Sequence, residues 1–518
     1  MGSTWSDDSS VQAVDKNVKR ILNQGTSTAA PESTAVGSHF NGWRIPVLSF
    51  ASNEINLDMR LRENKCIGEY DISTALWQKS CGVVDEITRA FHKMLTKVSS
   101  KSYPCLEFGD FVKQGSSREG LKIRHPDEFD MILPFTIAGV DIRSVPALDS
   151  NGERIPALVK LQIPDSQIEH VMSDSLYRSL RSKEVFERVG SDLFINAMYL
   201  QTCVISSIMD STINHIQDEI NAETINQPCS FTLTKASVFP PTYRFKIVIK
   251  SDDNFDELSY GRTVFGGIQT ESRNISRDMR MTGFGPTNKM IEFDIVPGVL
   301  LQSDFVPNPD SWIPMTCERY AVMKWVHKGR YAGNYQDPNL FWRESSCGYE
   351  KHIMDVCQRE QDSRYILTAC RIMKAYIDGM ASSSQLRSLL TSYHIKNIAI
   401  HCILFQMRVY GVKEALGYLI GLLEISIEVK FLPHYFYGNP NISKMFPTLF
   451  ENASHKRLNL FRDIPTDHFV QAKYSFLSMQ ADLHGCFTER AYLGNQKHVD
   501  SFRELCTLYP ANDGCILM

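Results

Sequence analysis

Two carboxylates, Glu128 and Asp130, flank Phe129 at the head of the apolar run Phe129–Phe135. In a strand, residues two apart share a face, so both acids project together while Phe129 turns the other way, into a core. Neighbouring carboxylates repel unless a cation lies between them, and such oxygen donors suit Mg²⁺ or Mn²⁺. The chain must therefore form a sheet that buries one face of this strand and leaves the other open to an ion.

Two further segments bear on that site. Gly115-Ser116-Ser117 lies just upstream. Gly115 lets the backbone approach a triphosphate closely, and Ser116 and backbone N–H groups are donors to it. Ile291-Glu292-Phe293-Asp294-Ile295 offers a third acid on a neighbouring strand. Glu128, Asp130 and Asp294 are thus candidate catalytic and metal ligands for two divalent cations, which can activate a hydroxyl and stabilise a leaving pyrophosphate. Acidic pairs on strands and Gly-Ser loops also occur where no ion binds, so these residues alone leave a purely structural role open.

The chain has 518 residues, 43% hydrophobic and 22% charged, enough for two to four domains or two large lobes. A net charge of -4 excludes a globally basic nucleic-acid binder, so such a partner needs local basic surface. The 13 cysteines include no C-x-x-C pair, which points to a reducing compartment rather than a disulfide framework. No N-terminal signal peptide is evident. The most apolar stretches, Ile398–Met407 and Ala415–Leu423, are shorter than a membrane span.

Residues 1–37 read as a disordered tail and 38–73 as an N-terminal extension. Val83, Val84, Ile87, Ala90, Phe91, Met94, Leu95 and Val98 predict a long helix from Thr74 to about Val98. Phe129–Phe135, Leu158–Ile163, Tyr243–Lys250 and Met290–Val296 read as strands, the last ended by Pro297-Gly298. From about 311 the pattern is almost wholly helical, as in Arg364–Ile377, Ser384–Ser392 and Lys413–Glu424. The expected class is α+β: a mixed-sheet lobe with a long spine helix over 74–310, a helical lobe over 311–495, and a loosely attached tail over 496–518.

Gly-Ser-Ser, Glu-Phe-Asp and Phe-Asp-Ile-Val-Pro, then Trp342-Arg343-Glu344-Ser345 and Ser392-Tyr393-His394-Ile395-Lys396, occur in an order that resembles the cyclic GMP-AMP synthase-like receptors. These are innate-immune nucleotidyltransferases. The resemblance runs from about Thr74 to at least Lys430. It implies the bilobal nucleotidyltransferase fold, with Glu128, Asp130 and Asp294 as metal ligands and Ser116 as a triphosphate contact. It further implies that Arg343 touches a nucleobase, Glu350 lines the same pocket, Lys374 holds phosphate, and Tyr393 stacks on a base with Ser392 and Lys396 beside it. The implied activity joins ATP and GTP, or other nucleoside triphosphates, into a cyclic dinucleotide that activates a STING-like receptor.

Departures from the family sharpen this reading. Vertebrate members carry a zinc ribbon that helps engage double-stranded DNA. Here Cys347, His352, Cys357 and Cys370 lack the adjacent pair and the close spacing of a structural zinc site, so zinc is not expected. Relatives without the ribbon include sensors of double-stranded RNA, the expected activator here. Such a duplex would be read by shape and phosphate. Arg89, Lys93, Lys97 and Lys101 form a basic stripe able to follow its backbone. Arg178, Arg181, Lys183 and Arg188, or Lys324, Lys328 and Arg330 with Trp325 nearby, are other basic runs, and any of them fits a solvated face equally. Gln114 replaces a threonine that lies near a base in the vertebrate enzyme, which leaves the choice of bases open.

Both ends carry lipidation patterns: Cys515-Ile516-Leu517-Met518 fits C-a-a-X, and Gly2 opens a myristoylation pattern. Neither flank is polybasic, and one chain alone anchors weakly. The expected location is cytoplasmic, with membrane association only if these signals are used. Two other functions compete: a catalytically silent scaffold of the same fold, and a linear template-independent polymerase such as an oligoadenylate synthase.

Overall fold

The computed structural model describes residues 39–149, 151–224, 230–235, 242–250, 288–306, 315–323, 337–359, 361–442, 446, 457–462, 464–488 and 496–507. The N-terminal tail, Gly2, Cys515, and Lys324, Trp325, Lys328 and Arg330 lie outside the described residues. The architecture is α+β, a mixed sheet followed by a helical C-terminal part.

The spine helix spans Thr74–Ser102, and its N-terminus is capped by Ser73, whose side chain accepts from Leu76 N–H. Its buried residues Trp77, Cys81, Val84, Ile87, Phe91 and Leu95 recur every three or four positions and cover the sheet. Trp77 and Trp43 both meet Phe129, the latter edge-on at 4.9 Å between ring centroids. Phe129 is fully buried, and this aromatic clamp fixes which face of its strand is the core face.

That strand, Glu128–Ile137, runs parallel to the long strand Asn288–Val306, with Glu128 beside Glu292 and Asp130 beside Asp294. Strand Tyr243–Lys250 borders the long strand antiparallel on the other side. The long strand does not stop at Pro297-Gly298, as the sequence suggests. Pairing with Tyr243–Lys250 ends at Ile295, and pairing with Met315–Met323 begins at Gly298. Pro297, which has no N–H, therefore sits where the antiparallel neighbour changes and no ladder bond is demanded of it. A β-carbon at Gly298 would lie 3.3 Å from Ala321 O, so the crossing is tight.

The chain beyond 311 is less helical than its sequence pattern suggests. Met315–Met323 and Trp342–Ser345 are strands that extend the sheet to Arg154–Ile163. Residues 317 and 319–323 are buried on both faces, so no two-residue alternation marks this strand, and the second has only four residues. Among the described residues, the named elements from Cys347–Arg359 onward are all helices.

Two main clusters of buried side chains result. One joins the spine helix to the sheet. The other is built from helices Gln361–Gly379, Ser392–Leu404, Val412–Val429 and Thr466–Asp482. Helix Ile55–Glu63 also enters the second cluster through Leu57 and Leu61. So does helix Gln496–Thr507, whose Val499, Phe502, Leu505 and Cys506 are buried. That stretch, expected as a loose tail, is docked by an apolar face whose spacing is short enough to pass unnoticed in sequence.

Candidate metal and nucleotide site

Glu128, Asp130 and Asp294 each offer a carboxylate oxygen, and these atoms all lie within 4.8 Å of one another. No other group of three or more potential metal ligands occurs among the described residues. Burial first, then the nearby charges of Glu128 and Asp294, push the Asp130 carboxyl up to about 7. Burial also raises Asp294, with Arg244 pulling the other way. An all-oxygen donor set in which Asp130 and Asp294 disfavour their ionised forms fits a hard divalent cation.

The glycine loop is built against this cluster. Gly115 has φ +70, and a β-carbon there would fall 2.0 Å from Asp130 Oδ2. Ser117 donates to the Glu128 carbonyl at 2.6 Å, which ties the loop to the carboxylate strand. Ser116 is half-buried beside it.

Several charged neighbours escaped the sequence reading. Lys122 reaches Asp127 at 3.0 Å and Glu128 at 3.1 Å. Burial works against its charge, but these two acids raise its pKa overall. Arg244 holds Asp294 through two hydrogen bonds, Nε to Oδ1 at 2.8 Å and Nη2 to Oδ2 at 2.6 Å. The fully buried Glu292 takes Lys246 at 3.3 Å and Arg244 at 3.5 Å. The strand pattern Tyr243-Arg244-Phe245-Lys246 alternates core residues with cations, a signal available in the sequence.

A second cluster unites Glu350, Tyr393 and Lys396. Lys396 donates to Glu350 at 2.5 Å and to both oxygens of Glu119 at 3.1 and 3.2 Å. Burial opposes the Lys396 charge, yet Glu119 and Glu350 raise its pKa overall. Burial lifts Glu119 to about 7 against the attraction of Lys396. The Tyr393 hydroxyl donates to Glu350 at 3.1 Å and lies 2.9 Å from His434 Nε2. His434 Nδ1 accepts from Phe436 N–H, so the neutral ring presents Nε2–H to Tyr393.

Arg343 is exposed, within electrostatic reach of Tyr393 and His434. Ser392 is exposed at the start of its helix. Lys374 is buried, pulled down to about 8 by burial, and donates to Leu121 O at 2.7 Å. Next to it, Arg371 donates to Lys122 O at 3.2 Å, so one helix braces the strap that leads to Glu128.

On the spine helix Arg89, Lys93 and Lys101 are exposed and Lys97 is half-buried, with Arg89 paired to Glu86 at 2.6 Å. Arg181 donates to the Val171 and Asp174 carbonyls, a structural use of one member of the second basic run. Cys347 packs with Ile132, Tyr320 and Val322, whereas Cys357 and Cys370 belong to the helical core and His352 lies against Phe446. Among the described residues, no helix is long and apolar enough to cross a membrane.

No family model and no curated protein matches the chain. Among solved structures, the chain is similar to one in the E. coli MS115-1 CdnC:HORMA-deltaN complex. That alignment covers 87% of this chain and 98% of that one, at 10% identity and TM-score 0.37. A likeness this distant carries no weight for function, which is read from the site itself.

Proposed function

We propose that the protein is a divalent-cation-dependent nucleotidyltransferase that joins ribonucleoside triphosphates, with a cyclic dinucleotide as product. The observation that carries this is the carboxylate cluster Glu128, Asp130 and Asp294, set against a glycine whose missing side chain leaves room for Asp130. Mg²⁺ or Mn²⁺ held there would lower the pKa of an attacking ribose hydroxyl and stabilise the pyrophosphate that leaves.

The chain's own residues supply the remainder. Gly115 and Ser116 present donors to a triphosphate. The Tyr393 ring offers a face for base stacking, its hydroxyl fixed by Glu350 and His434. Arg343, exposed nearby, has a planar fork for a base edge or phosphate. In the reaction, the hydroxyl oxygen bonds to the α-phosphorus, the bond to pyrophosphate breaks, and the hydroxyl proton is lost. In the linear dinucleotide a second hydroxyl then attacks the remaining α-phosphorus, which closes the ring and releases a second pyrophosphate. ATP and GTP are the proposed substrates. Double-stranded RNA is the proposed activator, on the stripe Arg89, Lys93, Lys97 and Lys101, and a STING-like receptor is the proposed reader of the product.

The test incubates full-length protein with the four nucleoside triphosphates, Mg²⁺ or Mn²⁺, and duplex RNA or DNA, and identifies products by mass spectrometry. Cyclic products that disappear in Glu128→Ala/Asp130→Ala are expected. Linear oligomers would instead assign a template-independent polymerase, and products retained by the double variant would remove the carboxylates from the chemistry.

A further inference from the structure

The strand register places Arg244 directly opposite Asp294 and Lys246 opposite Glu292, all four on one face of the sheet. Phe245 and Ile247, between and beyond the cations, are buried on the other. Arg244 is therefore aimed at the carboxylate cluster by the sheet itself. Its fork takes both oxygens of Asp294, at 2.8 and 2.6 Å, and Nη2 lies 3.9 Å from Glu128 Oε1. A divalent ion shared by Glu128, Asp130 and Asp294 would need an oxygen that the guanidinium already engages. It would also stand within a few ångströms of a fixed positive charge, where like charges repel strongly.

We infer that Arg244 is an internal counter-cation: it neutralises Asp294 in the ion-free protein and must release it before a divalent ion can bridge the carboxylates. This rests on the metal-site reading given above and deepens it, because it makes ion loading a competition between two cations for one side chain. A second carboxylate stands close to the arginine. Nη1 already lies 3.5 Å from Glu292, a fully buried acid two residues before Asp294. A modest rotation exchanges one carboxylate partner for another on the same strand, so Arg244 keeps a counter-charge when Asp294 is given to the ion. Arg244 is a positioning residue in this scheme, acting through Asp294.

The experiment measures Mn²⁺ binding directly, by the loss of the free-ion electron paramagnetic resonance signal, without nucleotide. It compares full-length wild type, Arg244→Gln, Arg244→Lys and Glu128→Ala/Asp130→Ala, with thermal melts to establish folding. Arg244→Gln is expected to bind Mn²⁺ about tenfold more tightly than wild type. Arg244→Lys keeps the charge but cannot make the two-point contact, and is expected to fall between them; it decides the matter if the Gln variant fails to fold. Equal or weaker binding in the folded Arg244 variants would overturn the counter-cation role and make Arg244 an orienting partner of Asp294, with the metal site intact. Saturable binding that survives in Glu128→Ala/Asp130→Ala, or none in any variant, would overturn the metal-site reading itself.

Discussion

Gly115 approaches Asp130 so closely that a β-carbon at position 115 would sit 2.0 Å from the carboxylate oxygen Oδ2. The glycine is required twice, once for its φ of +70 and once for the space its missing side chain leaves. Gly115→Ala should therefore incur the left-handed backbone penalty of roughly 1–2 kcal/mol and also displace Asp130. Gly152 separates the two effects, since it has φ +77 but nothing within 4 Å of the place a β-carbon would take. Gly152→Ala should lower the melting temperature slightly and leave Mn²⁺ binding intact, whereas Gly115→Ala should lose both. Equal Mn²⁺ affinity in the two variants would refute the steric argument.

Lys396 is the only cation hydrogen-bonded to both Glu119 and Glu350 among the described residues, and all three are buried. Lys396→Met leaves two acids facing each other out of water, a loss of roughly 3–5 kcal/mol in unfolding free energy. Adding Glu119→Gln should restore part of it. Urea denaturation of the single and double variants reads this directly, and a Lys396→Met loss below about 1 kcal/mol would show that water already screens the group.

Acid should destabilise the protein through two buried histidines. Burial pulls His434 down to about 3 and His401 down to about 4, below the ~6.5 of an unfolded histidine. Between those values the unfolded chain binds protons that the folded chain refuses. The stability from each group is thus complete above about pH 6.5 and is lost as pH falls toward the folded value, by about 1.4 kcal/mol per pH unit. Denaturation curves at pH 7, 6 and 5 should show this slope, and His434→Gln should flatten it. A slope unchanged in both His434→Gln and His401→Gln would assign the acid sensitivity elsewhere.

Tyr393 carries two separable contributions, a ring and a hydroxyl. Tyr393→Phe keeps the stacking face and loses the bonds to Glu350 and His434. Tyr393→Ala loses both, and should raise the KM for nucleotide by roughly 5- to 150-fold, from stacking worth about 1–3 kcal/mol. Steady-state kinetics should place Tyr393→Phe much nearer wild type. Equal KM values for the two variants would remove the ring from nucleotide binding.

Much of this arrangement is legible in the amino-acid order because it depends on short periodicities. The Glu128-Phe129-Asp130 alternation and the apolar stripe of the spine helix are local patterns, and each declares a face. What stays hidden depends on partners distant in sequence. Arg244 looks like an ordinary surface cation until the register sets it opposite Asp294. Pro297-Gly298 reads as a stop, because only the sheet shows that the strand changes neighbours there. Met315–Met323 hides its strand character because both its faces are covered.

The Glu119–Lys396–Glu350 bridge also constrains how this protein can evolve. Glu119 ends the short helix that begins at Gly115, while Glu350 and Lys396 come from two different helices of the C-terminal part. Loss of Lys396 leaves two buried acids without their shared cation, so drift at that position has to be compensated at 119 or 350. Homologous chains should then show positions 119, 350 and 396 varying jointly, and a graft that imports the glycine-loop segment from a relative without its matching helices should be poorly tolerated.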